Sequence, residues 1–150
     1  MNDMRQMIPA IGLLATGMAV VYMVVQLGAQ TTRPTGDYTN AAVAQVRDAL
    51  GQVILSGQFQ LGEEEDDDME RKAALSPTGI DADAAGEAEV EFSKATPAEQ
   101  EVEFAVRNVA PGAVLTFLID DHEVATATAD ARGRAKIELE VRMPGTGASR

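Results

Sequence analysis

Cysteine is absent from this chain of 150 residues, and so is tryptophan. Without cysteine there is no disulfide, no thiolate nucleophile, no iron–sulfur cluster and no cysteine-ligated zinc. Aromatic residues make up only 4% of the chain, so a core must be built mainly from Val, Leu, Ile and Ala. An aromatic-lined ligand pocket is therefore not expected, and the sequence predicts no cofactor and no metal.

Basic residues are also few, since 12 Lys and Arg face 24 Asp and Glu and give a formal net charge of -12. Nucleic-acid binding needs clustered Lys and Arg, whereas the bases of this chain are scattered. The charge balance excludes nucleic acid as a partner and favours a cation or a basic protein surface.

Catalytic motifs are missing as well. The single histidine, His122, falls at a predicted hairpin tip beside Asp120, Asp121 and Glu123, without a second group placed for acid–base chemistry. No serine stands in a GxSxG or comparable activating context, and the glycines are isolated turn glycines rather than a phosphate-binding loop. We therefore expect no enzyme activity.

One long uncharged stretch, residues 7–27, is typical of a transmembrane helix. At about 1.5 Å per residue it spans roughly the 30 Å hydrocarbon core of a bilayer. Pro9 fits a first helical turn, and Asn2 or Asp3 can cap it. A cleaved signal peptide is the alternative, but the start carries only Arg5 and the apolar run is long. A retained signal anchor is favoured.

This anchor predicts a location and a set of contacts. Residues 1–6 are expected to be a short cytoplasmic head, and the C-terminal region to be periplasmic, on the outer side of a bacterial inner membrane. The small residues Gly12, Ala15, Thr16 and Ala19 share one helix face, which permits another helix to approach closely. The predicted partners are the lipid bilayer and other integral membrane subunits.

After this segment, residues 38–55 show apolar residues at helical spacing and predict an amphipathic juxtamembrane helix. Thr39 or Asn40 can serve as its N-cap and Gly57 as its stop. Because its charges cancel, its apolar face is expected to dock on a protein rather than on anionic lipid. The docking candidates are Val43, Val46, Leu50, Val53 and Ile54.

Residues 56–86 are rich in acids, Ala, Ser, Pro and Gly and predict a solvated acidic linker. Six consecutive acids on an extended chain point in alternate directions, so they do not converge on a calcium ion. A spacer, or a docking strip for a basic protein surface, is the better interpretation. The acids of this strip are Glu63, Glu64, Glu65, Asp66, Asp67 and Asp68.

From residue 87 to 143 the apolar residues alternate with polar ones, which predicts a small antiparallel β-domain followed by a flexible tail, residues 144–150. Strands are expected around Val90, Val102 to Val106, Val114 to Ile119, Val124 to Thr128 and Ala135 to Val141. Turn residues separate them. The predicted fold class is thus a single-pass transmembrane α-helix plus a small all-β antiparallel sandwich or open barrel, joined by an amphipathic helix and an acidic linker.

Within this domain, residues 108–141 combine a Pro-Gly turn before a strand, a hairpin with a polar tip and Asp-x-x-Gly before the last strand. This arrangement resembles small bacterial exported β-domains. The resemblance implies a β-fold and export, and it implies no activity.

Three segments thus lack a complete partner: the small-residue face, the amphipathic face and the acidic strip. They predict a non-catalytic accessory or structural subunit of a larger bacterial membrane complex, for example a respiratory or photosynthetic one, that stabilises assembly on the extracytoplasmic face. The alternative is a free-standing, membrane-anchored extracytoplasmic binding module on an acidic stalk.

Overall fold

Nine β-strands make up the regular structure of the described chain. The computed structural model describes residues 35–62, 67–97 and 99–143, and within these ranges it contains no helix. The strands are β1 (Val43–Arg47), β2 (Val53–Gln58), β3 (Gln60–Leu61), β4 (Asp68–Pro77), β5 (Ala85–Ser93), β6 (Glu99–Arg107), β7 (Val114–Ile119), β8 (His122–Thr128) and β9 (Ala135–Arg142).

The strands pair in the order β8-β7-β1-β2-β4-β5-β6-β9, and β3 adds to β4. Every strand pair is antiparallel. The two edge strands, β8 and β9, approach each other without forming a ladder, so the sheet is a nearly closed, barrel-like structure. Closing a sheet in this way removes most of the unpaired backbone edge that an open sheet would expose.

The core lies inside this barrel and is filled by the inward residue of each strand. Phe104 of β6 and Phe117 of β7 are fully buried, and their ring centroids lie 5.2 Å apart with the planes tilted by 56°. Since β6 and β7 lie in opposite halves of the sheet, this aromatic pair joins the two halves. Most of the other buried residues are Val, Leu, Ile and Ala.

Two glycines allow backbones to pass where no side chain fits. A Cβ on Gly57 would lie 2.2 Å from the carbonyl oxygen of Ala74, where β2 crosses onto β4. A Cβ on Gly133 would lie 2.1 Å from the carbonyl oxygen of Val109, and the φ of Gly133 is +69°. The second position therefore combines a steric requirement with a left-handed backbone that favours glycine.

The predicted amphipathic helix, residues 38–55, is wrong, because this segment forms β1, a tight turn and β2. The Asp48 carboxylate accepts hydrogen bonds from the amides of Leu50, at 2.9 Å, and Gln52, at 2.8 Å. Gly51 follows with a φ of +79°, which ends any helix at this point. Ladders from β2 and β7 on both sides of β1 then outweigh local helical spacing.

The predicted acidic linker, residues 56–86, is wrong for the same kind of reason. Most of its described residues belong to β2, β3, β4 and β5. In β4, Ala73 and Leu75 are buried, while Glu70 and Lys72 on the alternate positions face outward. A strand needs only one apolar face, so a high charge count does not prevent residues 68–77 from entering the sheet.

The predicted architecture as a whole must be corrected. Strands occupy both of the segments that were expected to join an anchor to a β-domain. No helix in residues 35–62, 67–97 and 99–143 is both long and apolar enough to cross a membrane, so the single-pass, signal-anchor interpretation is not supported. Residues 1–34, which include the predicted helix, and residues 144–150 lie outside the described residues.

Candidate protein-docking face

The outer surface of β4, β5, β6 and β9 carries alternating charged side chains, because the inner positions of these strands fill the core. We call this surface the acidic face. Carboxylates outnumber the cations on it. Its charged members on these strands are Glu70, Lys72, Glu87, Glu89, Glu91, Glu99, Glu101, Glu103, Arg107, Lys136, Glu138, Glu140 and Arg142.

Strand register places four glutamates side by side across this face. Glu70 pairs with Glu91, Glu91 with Glu101, and Glu101 with Glu140. Directly opposed residues on antiparallel strands have Cβ atoms about 4.5–5.5 Å apart, and like charges at that spacing repel each other. We call these four residues the glutamate row.

The neighbouring positions are partly neutralised by two lysines. The Lys72 ammonium contacts a carboxylate oxygen of Glu70 and lies 3.7 Å from one of Glu89. The Lys136 ammonium lies 3.0 Å from a Glu103 oxygen and 3.4 Å from a Glu138 oxygen. Exposed ion pairs contribute little stability, about 0–1 kcal/mol each, so these lysines offset only part of the repulsion.

Two members of the glutamate row have perturbed acidity. A hydrogen bond with the Glu89 side chain is the main cause that raises the pKa of Glu91, and desolvation and the charge of Glu89 add to it. Partial burial is the main cause that raises the pKa of Glu101, followed by repulsion from Glu138 and Glu91. Both carboxyl groups therefore hold their protons more tightly than an isolated glutamate does.

One group of carboxylates has the spacing of a metal site. Among the described residues, Glu70, Glu89 and Glu91 each offer an oxygen atom within 4.8 Å of the others. The ammonium of Lys72 already contacts Glu70 and lies near Glu89, so a lysine cation holds the position that a metal ion would need. The three glutamates are better explained as part of a protein-binding surface.

A groove of about 720 Å³ opens where the glutamate row reaches the end of the sheet. Carboxylates line most of it, and Met69 and Phe92 add apolar surface. Gln100 and Arg142 lie at its β6 and β9 side. An arginine or lysine side chain suits such a groove, because its aliphatic stem packs on apolar atoms while its charged end meets carboxylates.

The structure scatters the docking residues predicted from an amphipathic helix. Val46 and Ile54 are buried in the core, Val43 and Val53 are half-buried, and Leu50 is 81% exposed at the turn between β1 and β2. They share no face, because a strand alternates its side chains.

The other predicted site residues are also placed apart. Gly12, Ala15, Thr16 and Ala19 lie outside the described residues, as do Glu63, Glu64, Glu65 and Asp66. Asp67 is exposed before β4, and Asp68 lines the groove. His122 is exposed, and its Nδ1 lies 2.8 Å from the Asp120 carbonyl oxygen.

The acidic face was missed because its members come from four strands. Sequence alternation showed outward glutamates within β5, β6 and β9, but they were interpreted as a solvated surface. The register that sets Glu91 opposite Glu101 depends on distant pairing, which the sequence pattern alone does not determine. The repeated Glu-x-Glu pattern in neighbouring strands is the signal that could have revealed the row.

Comparison with known proteins gives this chain no relative: no family model, no curated protein and no solved structure matches it. Neither catalytic residues nor a ligand can therefore be carried over from another protein. The function has to be argued from the acidic face, the groove and their charges.

Proposed function

We propose that this protein is a non-catalytic accessory subunit of a larger protein complex, and that its acidic face docks on a basic surface of a partner protein. The glutamate row is the observation that carries this proposal. Four carboxylates set opposite one another on adjacent strands cost stability in the isolated protein. Basic side chains of a partner would offset that cost on binding.

The chemistry of the face favours a protein over other partners. A nucleic acid is repelled by the carboxylates, since its own backbone is anionic. A basic protein gains charge-assisted hydrogen bonds with the glutamates, and the long-range field of the face accelerates association at low salt. The groove beside Phe92 gives one partner side chain a specific seat.

Binding of octaarginine, a peptide whose charge does not change with pH in the useful range, tests this proposal. We compare the full wild-type chain with a Glu91→Gln, Glu101→Gln double variant. A second double variant, Asp83→Asn with Glu123→Gln, removes the same charge from exposed positions away from the acidic face.

The first double variant is expected to weaken binding about tenfold at low salt, and the second only slightly. This follows because each lost charge-assisted contact costs about 1.4 kcal/mol or less at an exposed site. Equal weakening in both variants would show that only the net charge matters, and it would overturn the docking face.

The extracytoplasmic location, the assignment to a respiratory or photosynthetic complex and the alternative of a free-standing binding module stay predictions. None of them is tested by the described residues.

A further inference from the structure

One end of the barrel is crossed by residues 35–42, which we call the strap. The strap begins at β9, where Thr35 forms a parallel bridge with Arg142 and the amide of Gly36 donates to the Arg142 carbonyl oxygen at 3.1 Å. It ends at β1. Between these points it belongs to no strand. It therefore spans the barrel end without a ladder of its own.

Side chains of the barrel hold the strap by its backbone. The Gln100 side-chain oxygen accepts a hydrogen bond from the Tyr38 amide at 2.8 Å, and Arg71 Nε donates to the Thr39 carbonyl oxygen at 2.6 Å. At the far end, the Asp120 carboxylate accepts from the Ala42 amide at 3.1 Å. These three anchors come from β6, β4 and the turn between β7 and β8.

The strap also seals the core at this end. Tyr38 is 8% exposed and Ala41 is 3% exposed, and the Ala41 amide donates to the Tyr38 carbonyl oxygen at 3.0 Å. Burial raises the pKa of the Tyr38 phenol. A segment held by a few anchors and two small areas of buried surface is expected to open at a lower free energy than the sheet beneath it.

Two of the residues that hold the strap also line the groove of the acidic face. Gln100, which is 3% exposed, binds the Tyr38 amide and completes its own hydrogen bonding by donating to the Pro97 carbonyl oxygen at 3.2 Å. Arg142 binds the Gly36 amide through its carbonyl oxygen. The closed strap thus fixes one side of the groove.

We propose that the strap is a separate opening unit whose closure shapes the groove, so that a basic partner in the groove and the closed strap stabilise each other. This coupling rests on the proposed function, whereas separate opening of the strap does not. By linkage, a partner that prefers the closed form must shift the strap toward closure by the same factor.

Amide hydrogen exchange of the full chain, followed by NMR, tests the separate opening. The amides of Tyr38 and Ala42 report on the strap, and the amide of Phe104 in β6 reports on the barrel. Arg71→Met removes one anchor outside the groove and should accelerate the strap amides about tenfold, because it deletes a hydrogen bond from a charged donor. The Phe104 amide should change less than about twofold.

The matched control is Arg134→Met, which makes the same charge change at the opposite end of the barrel. It should leave the strap amides unchanged. If the strap and Phe104 amides exchange at one common rate, or accelerate together in Arg71→Met, the strap opens only with the whole barrel and the proposal is overturned.

Saturating octaarginine tests the coupling in the wild-type chain. Exchange at Tyr38 should slow about fivefold or more, the lower end of ordinary coupling between sites, while exchange at Ala125 in β8 stays constant. Bound peptide with an unchanged or faster Tyr38 amide would refute the coupling alone. If octaarginine does not bind, the proposed function fails and the coupling fails with it, while the Arg71→Met result still decides separate opening.

Discussion

Neutralising the centre of the glutamate row should stabilise the isolated protein. Glu101 lies directly opposite Glu91 on one side and Glu140 on the other, and its pKa is raised mainly by partial burial and then by neighbouring carboxylates. Glu101→Gln keeps the shape of the side chain and removes its charge. The variant should therefore be more resistant to unfolding than the wild type at pH 7.

The magnitude follows from the spacing. Two unit charges about 5 Å apart in water repel each other by about 0.8 kcal/mol, and physiological salt roughly halves that value. Glu101 has two such neighbours, so Glu101→Gln should raise the free energy of unfolding by about 0.8 kcal/mol. This agrees with about 0.2–1 kcal/mol for one cross-strand pair.

Urea unfolding followed by far-ultraviolet circular dichroism provides the assay. Glu87→Gln is the matched control, because Glu87 lies on the same strand and face as Glu91 but stands opposite Ala74 and Ala105. It should change stability by less than about 0.3 kcal/mol. The gain from Glu101→Gln should also shrink when sodium chloride is raised from about 0.02 to about 0.5 M.

The pH dependence has a definite sign. A raised pKa in the folded state gives stability that is present below the unfolded pKa, about 4.3, and is lost as pH rises through the folded value. The advantage of Glu101→Gln should therefore vanish near pH 3. A variant no more stable than wild type at pH 7, or a Glu87→Gln variant that gains as much, would refute cross-strand repulsion.

Three further predictions concern the barrel itself. Phe104→Ala should lower the free energy of unfolding by about 3–5 kcal/mol in urea titration, because it removes a fully buried ring that contacts Phe117, and a loss below about 1 kcal/mol would contradict that packing. Gly133→Ala should lower it by more than about 1 kcal/mol, since the new Cβ meets the Val109 carbonyl oxygen, and an unchanged melting temperature would show that this turn is loose. Amide hydrogen bonds from Arg134 and Arg132 lower the pKa of Asp130, so its contribution is present above the unfolded pKa and is lost as pH falls through the folded value; the destabilisation by Asp130→Ala should thus be smaller near pH 2 than at pH 7 in thermal melts, and equal effects would contradict it.

Alternation between apolar and polar residues was the most useful signal in the sequence. The strand expected from Val114 to Ile119 has the same bounds as β7, and the other four expected strands fall within β5, β6, β8 and β9. Their inward residues fill the core, as period-two patterning requires. Sequence reasoning therefore located the strands that follow residue 87.

The sequence misled where two periods overlap. Val43, Val46, Leu50 and Val53 fit helical spacing only if the turn at Asp48 to Gly51 is ignored. The Asp48 carboxylate binds two amides of that turn, and the left-handed Gly51 completes it. Short apolar runs on either side of such a turn are better interpreted as a hairpin.

The candidate site was less accessible than the strands. Glu70, Glu91, Glu101 and Glu140 are far apart in sequence and meet only through register. Composition identified an acidic protein that favours a basic partner, but it pointed to the run from Glu63 to Asp68. Of that run, only Asp67 and Asp68 are described, and Asp68 lies at the edge of the groove.

Mapping octaarginine onto the full chain by NMR tests the docking face most directly. The account predicts that amide shifts concentrate on β4, β5, β6 and β9, are largest near Glu91 and Glu101, and fade as salt is raised. The strands β1 and β7, on the other side of the barrel, should stay unperturbed. Shifts spread evenly over both sides, or centred on β1 and β7, would contradict the assignment of the acidic face as the site of docking.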